Sequence, residues 1–152
     1  MRLTILSIGR DRSKLFEPAA REYLTRLQRY LPTEAIVAGE AQGEDAAARR
    51  LEAALLRKKL SDAARWVALD ERGETLSSRE LAERFSAEAR RGTRGLAFVL
   101  GGPSGLDPEL AAEASWSLAL SRFTLPHQLA RVVLLEQVYR AHTILKGEPY
   151  SK

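Results

Sequence analysis

The run FVLGGPSGLDPEL, starting at Phe98, ends an apolar stretch in Gly101 and Gly102 and meets a third glycine at Gly105. Glycines at the end of a buried strand let something approach the backbone closely, because no Cβ stands in the way. The spacing GGxxG is not the GxGxxG of dinucleotide sites and no Walker lysine follows, so both phosphate-cradle readings are weak. Ser104 lies in GPSG, without the spacer that a strained nucleophile elbow requires, which leaves a serine hydrolase of Ser104 and His127 a poor fit. Two readings stay open: close approach to a flat ligand, or a tight turn with no ligand. The histidines, His127 and His142, are well separated and have no carboxylate pair beside them, so no zinc or di-iron site is expected. His127 follows Pro126 at a strand-to-helix junction, where a general base and a helix cap both fit. His142 reads as a surface or core-edge residue. Glu136 and Arg140 are ordered for an intrahelical ion pair, while Arg131, Tyr139 and Arg140 also make the arginine-with-aromatic combination that contacts RNA.

The elements that must position these residues follow from periodicity and punctuation. Strands are expected at Arg2–Ile8, at Glu34–Ala38, over Trp66–Leu69 (ending at Asp70 and a turn, ERGE), at Gly95–Leu100 and over Trp116–Leu120. A helix entered through Pro18 carries Leu24, Leu27 and Leu31. A second spans Asp45–Leu60, with Leu51, Leu55 and Leu56 as its apolar face. Ser77 to Glu80 reads as a capping box opening a third helix, Asp107-Pro108 starts a short one, and a long amphipathic helix covers residues 128–145 before Gly147 and Pro149. Strand and helix alternate with short connections, which predicts one α/β domain over residues 1–152: a mostly parallel sheet with helices on both faces. Ligands of such sheets bind beyond the carboxyl ends of the strands, here Asp70, Gly101-Gly102 and the segment from Ser121.

Composition narrows the setting. The chain has 152 residues, no cysteine and a formal charge of +4, and 19 of its 24 basic residues are arginine. That permits an anionic partner, although acidic residues are interleaved throughout. No window is apolar enough for a membrane span, and the opening run is too short for a secretory signal, so a cytoplasmic protein without membrane or metal is expected.

Two stretches, LGGPSGL (Leu100–Leu106) and LSRFTLPHQLARVVLLEQVYRA (Leu120–Ala141), closely resemble the RlmH family of SPOUT-class methyltransferases. The family methylates N3 of a pseudouridine in helix 69 of 23S ribosomal RNA. The likeness extends over the whole chain, including VALD at Val67–Asp70 and a Pro-Tyr near the end. It implies an α/β fold with a deep trefoil knot over roughly residues 98–146, and S-adenosylmethionine (SAM) as cofactor. By resemblance Leu69, Gly101, Gly102, Leu120, Ser121, Arg122, Phe123, Thr124, Leu125 and Pro126 surround that cofactor. Leu69, Leu120, Phe123 and Leu125 offer an apolar slot for its adenine. The family acts as a homodimer with composite sites, and the expected partner is the ribosome in its assembled 70S form. The reacting imide nitrogen is protonated at neutral pH, so His127 or Tyr150 is a candidate base and Arg140 or Arg131 a candidate anion stabiliser. Arg131, Tyr139 and Arg140 are the candidate RNA contacts. The tail reads EPYSK, with Ser151 where the family tends to carry a histidine. The rival readings are a SPOUT methyltransferase of another RNA, such as tRNA, and a non-catalytic SAM- and RNA-binding ribosome-assembly module.

Overall fold

The computed structural model describes residues 1–43, 45–60 and 65–151. Five strands, β1 (Arg2–Ile8), β2 (Thr33–Ala38), β3 (Arg65–Thr75), β4 (Gly95–Leu100) and β5 (Trp116–Ala119), form one sheet in the order β2-β1-β4-β3-β5. Every pairing is parallel. The helices are α1 (Glu17–Leu27), α2 (Asp45–Leu60), α3 (Ser78–Arg90), α4 (Pro108–Ala112) and α5 (His127–Leu145), and a 3-10 turn at Pro149–Ser151 follows.

Side-chain alternation along the strands divides the core in two. Leu3, Ile5, Val67, Leu96, Phe98 and Leu118 face a layer made by α1, α3 and α5. Leu6, Ile8, Ala97 and Val99 face α2 and α4 through Ala53, Leu56, Leu60 and Leu110. A parallel sheet covered on both faces is what unbroken apolar strands require.

Local sequence explains most boundaries. Ser77 accepts from Glu80 N while the Glu80 carboxylate accepts from Ser77 N at 2.7 Å, completing the capping box. Asp107 accepts from Glu109 N and Leu110 N at 3.1 and 3.0 Å, with Pro108 in the first turn of α4.

Three expectations need correction. β3 does not end at Asp70. It runs to Thr75, and Leu69 and Glu74 both register with Leu118, so residues 70–73 bulge out of the ladder. Gly73 permits this: a Cβ there would stand 2.7 Å from the Ser117 carbonyl carbon. On α2, Leu51 and Leu55 are exposed, and the inward row is Ala48, Glu52, Leu56 and Leu60, spaced by four. His142 is neither surface nor edge. It is buried against Phe85, with ring centroids 4.6 Å apart, and its Nδ1 lies 2.8 Å from Val138 O.

Two outcomes are expected. Ser77→Ala should lower unfolding free energy by about 1 kcal/mol in a denaturant titration, as loss of a helix cap does. Burial holds the His142 pKa below its ordinary 6.5. His142 therefore costs nothing above that ordinary value, and stability is lost as pH falls from about 6.5 toward the depressed folded-state value, because the unfolded chain takes up the proton first. The melting temperature should drop more between pH 7 and pH 5 in the wild type than in His142→Gln.

Candidate functional site

Because all five strands are parallel, their carboxyl ends deliver five loops to one end of the sheet. The loop after β4 is built on its glycines. At Gly101 an added Cβ would sit 2.4 Å from the Gly105 carbonyl carbon, and at Gly102 it would sit 2.9 Å from Ile8 Cγ2. Gly105 takes φ +79° and donates its N–H to Gly102 O at 2.9 Å. The turn thus uses the missing Cβ atoms for its own backbone and presents a compact edge. Ser104 donates to Asp45 at 3.0 Å, and its carbonyl accepts from Arg49 at 3.2 Å. Neither contact engages His127.

The loop after β5 leaves the same end of the sheet. Ser121 Oγ accepts from Phe123 N at 2.9 Å, folding the segment into a tight turn. Thr124 donates to Glu71, in the β3 bulge, at 3.0 Å, and so ties two of the strand-end loops together. Leu69 and Leu120 are half-buried against the main core, and Leu125 is half-buried. Arg122 and Pro126 are exposed, and Phe123 projects into solvent with 83% of its surface accessible. Leu69, Gly101, Gly102 and residues 120–126 thus gather at one end of the sheet, but within one chain Phe123 closes no slot. Half-buried leucines beside exposed loop backbone suit a purine ring and its polar edges, the chemistry of a nucleoside-type cofactor.

Behind the glycines lies a polar cluster that sequence reasoning missed. Glu52 is buried, accepts from Ala41 N at 3.1 Å, and lies 3.5 Å from where a Gly102 Cβ would be. Burial raises its carboxyl pKa, and Glu40 adds to the rise, while the Ala41 N–H and His127 oppose it. An acid inside the i, i+4 row Ala48, Glu52, Leu56 was the available signal. His127 Nε2 and Glu40 Oε2 flank Gly9, each 3.3 Å from its virtual Cβ. Gln128 Nε2 lies 2.9 Å from Gly9 O, to which it donates, and 3.1 Å from His127 Nε2.

The other residues singled out lie further along α5 and in the 3-10 turn after it. Arg131 is a correction: it is buried, pairs with Glu17 at 3.0 Å, and has no surface to offer a phosphate. Arg140 holds Glu136 through Nε and Nη2, at 3.0 and 2.7 Å, and its guanidinium lies 4.8 Å from the centroid of the Tyr150 ring. Tyr150 also donates to Glu136, at 3.0 Å. Tyr139 stacks edge-on with Tyr150 at 4.7 Å and with Tyr30 at 5.9 Å. Burial first, then hydrogen bonds to Tyr23 and Glu136, push the Tyr150 phenol above its ordinary pKa. Arg140 and Tyr150 are therefore held together, but His127 is not with them. His127 and Arg140 are thirteen positions apart, about 20 Å of rise along α5.

An α/β fold of this kind is shared with solved structures of other proteins. A structure described as "a probable methylase family protein" from Haemophilus influenzae Rd KW20 superposes with a TM-score of 0.63 at 16% identity, covering 99% of this chain and 70% of that one. A "Probable Methyltransferase" from Bordetella pertussis Tohama I gives 0.62 at 16% identity, covering 93% and 96%. Both likenesses establish the fold. In sequence, the family model "Predicted SPOUT methyltransferase" matches residues 1–151. Proteins named ribosomal RNA large subunit methyltransferase H are 48% identical in Anaeromyxobacter sp. (strain K), over the full length of both chains, and 43% identical in Geobacter sp. (strain M21), over 99% of this chain and 98% of that one. The chain belongs to the SPOUT methyltransferases and, within them, to the family of ribosomal RNA large subunit methyltransferase H. SAM is the methyl donor of these enzymes.

If the Gly101–Gly105 approach shapes the cofactor edge, Gly101→Ala must displace that turn. Calorimetry should then show SAM affinity lowered at least about tenfold, the scale of 1–3 kcal/mol of overpacking. Gly39→Ala, where a Cβ meets nothing within 4 Å, should bind as the wild type does.

Proposed function

We propose that this protein methylates N3 of a pseudouridine in helix 69 of 23S ribosomal RNA, that it acts on assembled ribosomes in the cytoplasm, and that it works as a homodimer with composite sites. One observation supports the composite site: two candidate catalytic residues on α5, His127 and Arg140, stand far apart along the helix. His127 stands beside the strand-end loops, whereas the Arg140–Tyr150 pair lies about 20 Å further along the helix. A second copy placed with its α5 across the first would bring Arg140 and Tyr150 of one protomer to the cofactor loops of the other. The exposed Phe123 and the half-buried Leu129 and Val133, four apart on α5, supply an apolar surface for that contact.

Leu69, Gly101, Gly102 and the segment Leu120–Pro126 would hold SAM, which when bound supplies an electrophilic methyl on a positively charged sulfur. Fixing the RNA nitrogen in line with that methyl is the main task of the protein, and alignment of this kind contributes roughly 7–11 kcal/mol in favourable cases. The imide nitrogen must also shed a proton. Tyr150 suits the role of hydrogen-bond donor and not of base, since its environment keeps the phenol protonated. Arg140 keeps N–H groups that Glu136 does not use, and these would stabilise the developing imide anion. To act as the base, His127 would first have to part from Gln128, which occupies its Nε2.

Labelled methyl from SAM, offered with whole ribosomes, isolated large subunits and stripped rRNA, should enter large-subunit rRNA chiefly in assembled ribosomes. Transfer to tRNA instead, or to none of these while SAM still binds, would overturn the reading. Gly101→Ala and Arg140→Ala should each be inactive alone. Mixed and refolded together, they should recover about a quarter of wild-type activity, since half the dimers are mixed and each of those has one intact site. No recovery would argue that each protomer is self-sufficient.

A further inference from the structure

The β1–α1 connection, GRDRSKLF (Gly9–Phe16), carries three cations and one acid. The acid is turned inward. Asp11 accepts from Phe16 N at 2.7 Å, from Glu17 N at 3.1 Å and from Ser13 Oγ at 2.6 Å, and the serine bond leads the interactions that hold its carboxyl below the usual range. Asp11 thus satisfies the free N–H groups that open α1. Drawing the loop around it puts Lys14 at φ +59° and leaves Arg10, Arg12 and Lys14 exposed.

Beside this loop is a hollow of about 570 Å³ lined by Lys14, Glu17, Pro18, Arg21, Glu22 and Thr25. Its two acids are already neutralised: Glu17 by Arg131 at 3.0 Å and Glu22 by Arg26 at 2.7 Å. Arg10, Arg12, Lys14 and Arg21 have no ion-pair partner among the described residues. The net field of the surface is therefore positive, although the residue count alone looks mixed. The loop also begins beside the proposed site, since Gly9 accepts from Gln128 and His127 Nε2 lies 3.3 Å from where a Gly9 Cβ would stand.

We propose that Arg10, Arg12, Lys14 and Arg21 form the surface that grips the phosphate backbone of the RNA whose base enters the site. The inference rests on the methyltransferase reading and deepens it. Four unpaired cations contiguous with the reacting end of the sheet meet phosphates of the same RNA strand that offers the base, and they fix its register without reading sequence. Arg131, buried and spent on Glu17, serves this surface indirectly by cancelling an acid that would repel phosphate.

The test compares the wild type with the triple variant Arg12→Ala, Lys14→Ala, Arg21→Ala. A control, Lys59→Ala with Arg94→Ala, removes charge at the amino end of the sheet. SAM affinity by calorimetry and the single-turnover rate at saturating ribosomes should match the wild type in both. For the triple variant, KM for ribosomes should rise about tenfold or more, and the slope of log affinity against log salt should shrink by about 2, near 0.7 for each lost phosphate contact. Filter binding of large-subunit rRNA reads the surface apart from catalysis. A wild type that binds rRNA but methylates neither assembled ribosomes, isolated large subunits nor stripped rRNA sinks the catalytic reading and leaves this surface standing. A triple variant that binds rRNA with wild-type affinity and salt slope overturns the inference, as does a control variant that loses as much.

Discussion

The sealing of β4 governs much of the rest of this molecule. Leu96–Leu100 are buried without a break, with β1 and β3 on either edge and helices over both faces. A strand enclosed in that way offers nothing to a ligand along its length, so chemistry is confined to where the chain leaves it. It leaves through Gly101, where the backbone of Gly105 occupies the space a Cβ would need. These glycines therefore act in two ways. They make a tight turn against their own chain, and that turn is the edge on which the proposed cofactor site is built.

The parallel sheet has a second consequence through α5. A helix of nineteen residues running back along one face starts at the strand-end loops and finishes far from them. Its early residues, His127 and Gln128, lock onto Gly9. Its late residues build a different unit, in which Ser78 donates to Gln137, Gln137 to Glu136, and Glu136 also accepts from Arg140 and Tyr150. Each member is oriented by the next, so the guanidinium and phenol are rigidly presented. In the proposed dimer, such preorganisation would serve the site of the other copy.

Charge pairing sorts the arginines in the same physical terms. Those whose carboxylate partners lie within the fold, such as Arg131, Arg65 and Arg140, stabilise packing or position a group. Those on the β1–α1 loop have no ion-pair partner among the described residues, because Asp11 is spent on backbone N–H groups. A net charge near +4 says little about where an anion would bind; the distribution of partners says much more.

What the sequence by itself determined was local or strongly periodic. β1 and β4 have their expected bounds because glycines punctuate the chain at Gly9, Gly95 and Gly101, and α2 keeps its expected span. The alternation of strand and helix made a parallel α/β sheet the natural architecture, and the motif GGPSG with TLPH pointed to a methyltransferase where periodicity alone was silent. Tertiary structure decided whatever depends on a distant partner. The β3 bulge exists because Gly73 can lie against β5, and the exposure of Leu51 and Leu55 follows from which row of α2 fits the sheet. Arg131 was withdrawn from the surface by Glu17, more than a hundred positions earlier in the chain. A side chain's type announces what it can bind, but only the fold brings up the neighbour that claims it first.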